Sequence, residues 1–132
     1  LVMSKFVSRL KKCDDFVCFP KGALKDDVAN AEVTLGLKFA KEYCEYTEEV
    51  GAASANGHEF TGVVNSKHLN VVTATQSARK KNPDIPDELY VVENLNADGI
   101  VIMQDAGGKI YEAGVDTEVK KIAGSLADYI KE

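Results

Sequence analysis

Residues 82–114 constrain the fold more than any other part of the chain, because short apolar runs alternate there with residues that form turns. Asp98-Gly99 and Gly107-Gly108 supply the positive φ angles that tight hairpin turns require. Three strands are predicted, over 89–95, 99–104 and 109–113. The middle run is apolar on both faces, which indicates a central strand covered by helices on at least one side. The segment therefore predicts an antiparallel meander.

Helical spacing of apolar residues predicts five helices around this meander. They are expected over 4–13, 26–35, 40–50, 69–81 and 118–130. Gly36 and Gly51 are expected to end the second and third helices, and Gly124-Ser125 is a point where the last helix can restart. The fourth helix is open to a second interpretation, because residues 71–75 also suit a strand.

One more strand, a loop and a link complete the pattern. The strand is predicted over 58–64, a loop over 52–58, and a short extended or looped link over 16–24. Together the segments predict an α+β fold, with helices packed against a mostly antiparallel sheet. A length of 132 residues suits a single domain, which is expected over 1–132. Leu1 and Val2, ahead of Met3, are expected to be additions to the natural start.

Charge and cysteine content narrow the class of protein. The formal net charge of −5 argues against nucleic-acid binding, which depends on clustered Lys and Arg. The three cysteines, Cys13, Cys18 and Cys44, have no paired spacing, so free thiols in a reducing compartment are expected. The start lacks the features of a signal peptide, and no run approaches the roughly 20 apolar residues that span a bilayer. These features predict a cytoplasmic protein without a membrane partner.

One segment superficially matches a metal-binding loop. The spacing of Asn94, Asn96, Asp98 and Asp105 follows that of a calcium loop. Such a loop requires helices on both sides and a bidentate Glu at its end, whereas predicted strands flank this segment. The cysteines and histidines are too scattered for a zinc site. No metal or cofactor is therefore expected.

Catalytic chemistry is also not expected from the sequence. His58 follows Asn56-Gly57 in a predicted loop, where a catalytic residue could lie, yet no partner acid or base is evident. Cys44 lies on a predicted helix without the turn that usually presents a nucleophile. The thiols are expected to be buried as small apolar side chains. An enzyme that uses His58 or Cys44 remains the weakest of the alternatives.

Two groups of acidic residues are candidates for a partner-binding surface. Glu42, Glu45 and Glu49 recur at three- and four-residue spacing, which predicts one exposed face of the third helix. The second group precedes the meander and comprises Asp84, Asp87 and Glu88. Such a surface would attract a basic protein and speed association. The alternative interpretation is that these residues only solvate the surface.

The order of these segments resembles the SUKH superfamily, which also includes the fungal cell-wall assembly regulators. The resemblance begins with Leu35-Gly36, Leu37, Phe39, Tyr43 and Tyr46. It continues with the segments GHEFTG, NPDIPDELYVVEN, DGIVIMQD, GGKIYE and KKIAGSLADYI. Ala40 departs from the family pattern, which often has a proline opening this helix. The similarity covers nearly the full chain from about Asp26 onward.

This resemblance implies both a fold and a function. It implies helices packed on a mostly antiparallel sheet, in agreement with the segments above. It also implies that the protein is similar to bacterial immunity proteins, which bind and neutralise a cognate toxin, often a nuclease, by stoichiometric contact. A basic toxin would suit the acidic charge balance. The fungal relatives imply an alternative, a regulatory scaffold or a module that binds a small ligand.

Overall fold

Helices and strands alternate along the residues that the computed structural model describes, which are 4–95, 99–115 and 118–130. The helices are α1 (Lys5–Lys11), α2 (Lys25–Leu35), α3 (Lys41–Val50), α4 (Val71–Lys81) and α5 (Leu126–Ile130). The strands are β1 (Val17–Cys18), β2 (Ala53–Ala55), β3 (His58–Glu59), β4 (Tyr90–Asn94), β5 (Val101–Gln104), β6 (Ile110–Ala113) and β7 (Lys120–Ala123). Leu1 and Val2 lie outside the described residues.

Local sequence signals set the helix boundaries. The Ser4 side chain caps α1 by accepting a hydrogen bond from the Val7 N–H at 3.1 Å. Asn70 caps α4 in the same way. The segment over 71–75, which also suited a strand, is therefore part of a helix. Gly36 and Gly51 follow the last residues of α2 and α3, so the predicted ends of both helices are confirmed.

The predicted meander is confirmed as the antiparallel strands β4, β5 and β6. Gly99 and Gly108 adopt φ angles of 70° and 100°, as the tight turns require. The fourth neighbour, β7, pairs with β6, so β5 lies inside the sheet. All four residues of β5 are buried, which confirms the prediction of a central strand apolar on both faces.

The structure corrects the predicted helix over 118–130. Residues of β7 form a strand, and only α5 is helical; the helix restarts just after Gly124-Ser125, as predicted. The helical spacing of Val119, Ile122 and Leu126 was misleading, because the open edge of β6 provides backbone hydrogen bonds that the spacing does not reveal. Lys120 and Lys121 are exposed on this edge strand, and charged side chains of this kind discourage pairing with another chain.

A second, smaller sheet has the strand order β1-β2-β3. It overturns the prediction of a loop over 52–58, because β2 pairs there antiparallel with β1. The link over 16–24, predicted as extended or looped, is extended at β1. Small residues such as Ala53 and Ala55 carry little strand propensity, and burial against α1 stabilises them as a strand. The predicted strand over 58–64 is shorter than expected and ends at Glu59. A bridge between Phe60 and Glu93 joins the two sheets.

Apolar side chains form a core on each face of the large sheet. Ile102 of β5 packs into the larger core with α1, α2, α3 and α5. Its neighbours Val101 and Met103 point the other way and pack with Ala78 of α4. This division follows from the alternation of side chains along a strand. A sheet covered on both faces explains why β5 carries no surface polar residue.

Three tyrosines buried in the larger core, here called the buried tyrosines, are Tyr43, Tyr46 and Tyr90. Each hydroxyl has a hydrogen-bond partner, as burial of a polar group requires. Tyr46 donates to the Thr61 carbonyl oxygen at 2.6 Å, and Tyr90 donates to Gln104 Oε1 at 2.7 Å. The network connects α3 with both sheets.

The architecture confirms an α+β fold with helices packed on antiparallel sheets. All seven named strands pair antiparallel, and one isolated bridge between Gly62 and Asn70 is parallel. Among the helices of the described residues, none has the length and apolar character needed to cross a bilayer.

Candidate functional site

The acidic residues predicted on one face of α3 have different surroundings. Glu45 and Glu49 are exposed. Glu42 is partly buried, and its Oε1 accepts hydrogen bonds from the Leu126 N–H at 2.7 Å and from Gln104 Nε2 at 2.9 Å. The prediction of an exposed face on α3 is therefore confirmed for Glu45 and Glu49. It is wrong for Glu42, whose side chain is partly buried.

Glu42 caps the N-terminus of α5. Its second oxygen, Oε2, accepts a hydrogen bond from the Ala127 N–H at 3.1 Å. Unpaired N–H groups and the helix dipole both favour a negative charge at this position. The residues that it caps lie 84 and 85 positions further along the chain. Spacing along α3 alone could not reveal such a partner.

Asp84, Asp87 and Glu88 are exposed in the connection between α4 and β4. Arg79 Nη2 holds this connection in place by donating to the Asp87 carbonyl oxygen at 2.8 Å. Within the ranges that the structure describes, the three carboxylates form no ion pair. No hydrogen bond or ion pair of those ranges connects this group to the glutamates of α3.

The thiols differ in accessibility. Cys18 is exposed on β1, so the prediction that the thiols are buried is wrong for this residue, while Cys13 and Cys44 are partly buried. Burial and, after it, the negative charges of nearby glutamates raise the pKa of Cys44 to about 11. A thiol with this pKa is protonated near neutral pH and is a poor nucleophile.

His58 belongs to a polar cluster with Glu93 and Tyr129, located where β3, β4 and α5 meet. His58 Nδ1 lies 3.0 Å from Glu93 Oε1, and the Tyr129 hydroxyl donates to the same oxygen at 2.6 Å. The Glu93 side chain is only 4% exposed, so its charge needs these partners. Burial and the hydrogen bond to Glu93 raise the pKa of Tyr129.

The sequence predicted only part of this cluster. His58 was predicted to lie in a loop, whereas the structure places it in β3 with 22% of its side chain exposed. No role was predicted for Glu93, although a charged residue directly after four apolar ones is a signal for a buried, paired carboxylate. The cluster fixes α5 against both sheets and holds the His58 ring in one orientation.

No three His, Cys, Asp or Glu side chains among residues 4–95, 99–115 and 118–130 lie close enough together to hold a metal ion. Two residues of the segment that matches a calcium loop, Asn96 and Asp98, lie outside the described residues. Asp105 closes the β5–β6 turn, because its carboxylate accepts hydrogen bonds from the Lys109 N–H at 3.0 Å and the Tyr111 hydroxyl at 2.8 Å.

A cleft lies between α4 and the large sheet. Its walls combine apolar side chains, among them Ala78, Ile85 and Val101, with polar ones, among them Lys81 and Asn94. Ser77 contributes a polar group, and the Asn82 side chain is held at the cleft by donating to the Gly114 carbonyl oxygen at 3.0 Å. With a volume of about 40 Å³ the cleft is small beside the roughly 300–1,000 Å³ of typical ligand sites, so it suits only a small group.

Comparison with known proteins identifies the family. A search of curated proteins gives no match. The model of a SUKH family, described as SMI1-KNR4 cell-wall, matches residues 3–132, which is almost the whole chain. The matched range includes every helix and strand described above, as well as the segments from which the resemblance was inferred. This chain therefore belongs to the SUKH superfamily.

Proposed function

We propose that this protein is an immunity protein, which binds a cognate toxin in the cytoplasm and neutralises it by stoichiometric contact. The observation that carries the proposal is the family match over residues 3–132, because the SUKH superfamily includes immunity proteins. The protein acts by occupying the toxin surface, without catalysis and without a cofactor. The toxin is a nuclease with a basic substrate-binding surface.

The charge distribution supports a basic partner. The chain carries 21 acidic and 16 basic residues, and several carboxylates lie exposed at its surface. In the described part of the chain, four of the residues predicted to bind the partner are exposed and form no ion pair, namely Glu45, Asp84, Asp87 and Glu88. A surface with this charge accelerates the encounter with a basic protein and disfavours acidic partners.

The interior of the protein supports a binding role in a different way. Glu42, Glu93 and the buried tyrosines have internal hydrogen-bond partners, so these polar groups stabilise the fold and leave recognition to the surface. An immunity protein needs a rigid scaffold, because preorganised surfaces bind with a smaller entropic cost. The double core beneath and above the large sheet provides that rigidity.

Co-expression tests this proposal. The toxin domain encoded beside the gene for this chain is expressed in a bacterial host under an inducible promoter, with and without this protein. Restored growth together with recovery of a complex of one toxin per chain supports the proposal. Continued toxicity, with this protein present in folded form, contradicts it. An unrelated acidic protein of similar net charge serves as the control against neutralisation by charge alone.

The cleft between α4 and the large sheet favours a second candidate function, a regulatory module that binds a small ligand. The apolar part of the cleft, around Ala78, Ile85 and Val101, supports this alternative for a small ligand group. Native mass spectrometry of the protein purified from cells distinguishes the two. A bound species of defined mass, lost after substitution of Ala78 by Trp, supports the ligand-binding module. A single mass equal to that of the bare chain counts against it.

A further inference from the structure

Three linked hollows form a single groove along α4. The cleft between α4 and the large sheet is the narrow middle of this groove. Ala74 and Ser77 of the cleft also line a second hollow, with a volume of about 180 Å³, near the start of α4. Lys81 and Val115 of the cleft also line a third hollow, of about 620 Å³, near the end of α4. The groove therefore follows the whole helix, which is about 16 Å long for its 11 residues.

Small residues make the middle of the groove narrow. Ala74, Ser77 and Ala78 line it from α4, where spacing of three and four positions places them on one face. Gly99 and Ala113 line it from the other side. A helix is about 10 Å wide and cannot enter a space of about 40 Å³. An extended chain can cross this point where its own residue is glycine or alanine.

The wider end of the groove is negatively charged. Asp84 and Glu118 contribute two carboxylates, against the single ammonium group of Lys81. Lys81 is the last residue of α4, where the helix dipole favours a positive charge. Within the part of the chain that the structure describes, neither carboxylate forms an ion pair. A cation from a partner therefore has two acceptors at this end.

The opposite end of the groove offers a positive charge. Lys67 is exposed there and forms no ion pair with the residues that the structure describes. The carboxylate of Glu59 lies nearby and already has a partner, because its Oε1 is 3.2 Å from His68 Nε2. The ammonium group of Lys67 is therefore available to an acidic side chain.

We propose that this groove, here called the α4 groove and defined by Lys67, Ser77, Asp84 and Glu118, docks an extended segment of the toxin. In this segment glycine or alanine lies between a basic and an acidic residue. The basic side chain pairs with Asp84 and Glu118, and the acidic one pairs with Lys67. About five residues span the groove, because an extended chain advances about 3.3 Å per residue. The inference rests on the proposed function and names the surface that performs it.

The shape and charge of the α4 groove favour an extended segment over a small ligand. The unpaired charges lie near opposite ends of α4, so a molecule that fills one hollow reaches only one of them. An extended chain crosses the narrow middle and reaches both. Charge at the two ends and size in the middle then act together to select the segment.

A peptide of this composition tests the α4 groove without the toxin. The probe has alanine at its centre, a threonine on either side, and lysine and glutamate at its ends. One control peptide has tryptophan in place of alanine, and another has glutamine at both ends. We expect the probe to shift the NMR amide signals of Lys67, Ala78 and Asp84, and each control to shift them much less. Absence of these shifts with the probe, or equal shifts with the tryptophan control, overturns the proposal.

Tryptophan variants of α4 test the groove in the complex with the toxin domain. Ser77→Trp places a large ring in the narrow middle and is expected to weaken binding about tenfold or more. Gln76→Trp is the matched control, since this neighbouring residue is also exposed, and it should change binding less than about twofold. Equal thermal unfolding midpoints for the two variants show that both are folded. Unchanged binding by Ser77→Trp, or equal weakening by both variants, overturns the α4 groove.

A pair of double variants separates the end of the α4 groove from the acidic face of α3. Asp84→Lys/Glu118→Lys and Glu45→Lys/Glu48→Lys make the same change in net charge. We expect the first double variant to weaken binding of the toxin domain at least about tenfold more than the second. Equal weakening, or the reverse order, overturns the α4 groove and leaves the proposed function intact. Failure of the unsubstituted chain to bind the toxin domain overturns both.

Discussion

Replacing Glu42 with alanine tests whether this residue supports the fold, as its hydrogen bonds indicate. The substitution removes the acceptor for the N–H groups of Leu126 and Ala127 and for Gln104 Nε2. Loss of an N-terminal cap costs about 0.5–2 kcal/mol, and a lost hydrogen bond to a charged group costs about 1.5–3 kcal/mol. Because Gln104 keeps a second acceptor in the Gly108 carbonyl oxygen, we expect a total loss of about 2–4 kcal/mol.

Urea unfolding monitored by circular dichroism measures this loss. With a dependence of roughly 2 kcal/mol per molar urea, the midpoint should fall by about 1–2 M. Glu45→Ala is the matched control, since this exposed residue lies one turn further along α3, and it should remain within about 0.5 kcal/mol of the unsubstituted protein. Glu42→Gln keeps an acceptor and loses the charge, so its effect should lie between the two.

Equal urea midpoints for Glu42→Ala and Glu45→Ala would contradict a structural role for Glu42. That result would mean that the carboxylate of Glu42 does not support α5 and is free to act at the surface, as its spacing on α3 had suggested. A double-substitution cycle with Gln104→Ala adds a check on the mechanism. The losses of unfolding free energy are expected to be non-additive, because the Glu42 and Gln104 side chains share a hydrogen bond of 2.9 Å.

Three further predictions concern packing, thiol reactivity and pH. Gly22→Ala should destabilise the protein by more than about 2 kcal/mol in urea unfolding, because its Cβ would lie 1.8 Å from the Glu48 carbonyl oxygen, whereas Gly107→Ala should cost less than about 1 kcal/mol. Alkylation followed by peptide mass spectrometry near pH 8 should label Cys18 before Cys44, whose raised pKa leaves roughly a hundredfold less thiolate than its ordinary value of 9.0 would; equal rates would contradict this. Burial raises the pKa of the buried tyrosines, so their contribution to stability is complete below pH 10 and is lost as the pH rises. Each tyrosine should then lower the unfolding free energy by about 1.4 kcal/mol per pH unit, and constant stability up to about pH 11 would refute this.

The parts of the fold that the sequence predicts are those specified by neighbouring residues. The strands β4, β5 and β6 are evident because apolar runs and turn residues alternate within a few positions. Helix ends at Gly36 and Gly51 are local signals of the same kind. In contrast, β2 and β7 depend on strands that pair with them, and their own residues favour a loop and a helix. Their formation is decided by tertiary contacts that no local window contains.

The candidate surface follows the same rule. Exposure of Glu45 and Glu49 can be inferred from helical spacing, since solvent is the default environment of a charged side chain. The burial of Glu42 and Glu93 cannot be inferred from spacing, because their hydrogen-bond partners lie 84 and 36 positions away in the sequence. Val33 is an apolar residue that lies off the buried face of α2 and is exposed. Hydropathy describes how apolar a side chain is, whereas the packing of the helix determines whether that side chain is buried or exposed.

The central claim is that this SUKH protein neutralises a toxin by binding it. Size-exclusion chromatography with light scattering, on a mixture of the purified chain and the toxin domain encoded beside its gene, tests this claim most directly. We expect one peak with the mass of a complex of one toxin and one chain, with an affinity that falls as salt rises, because the proposed contact is partly electrostatic. Two separate peaks with the masses of the individual proteins, even at low salt, would contradict it.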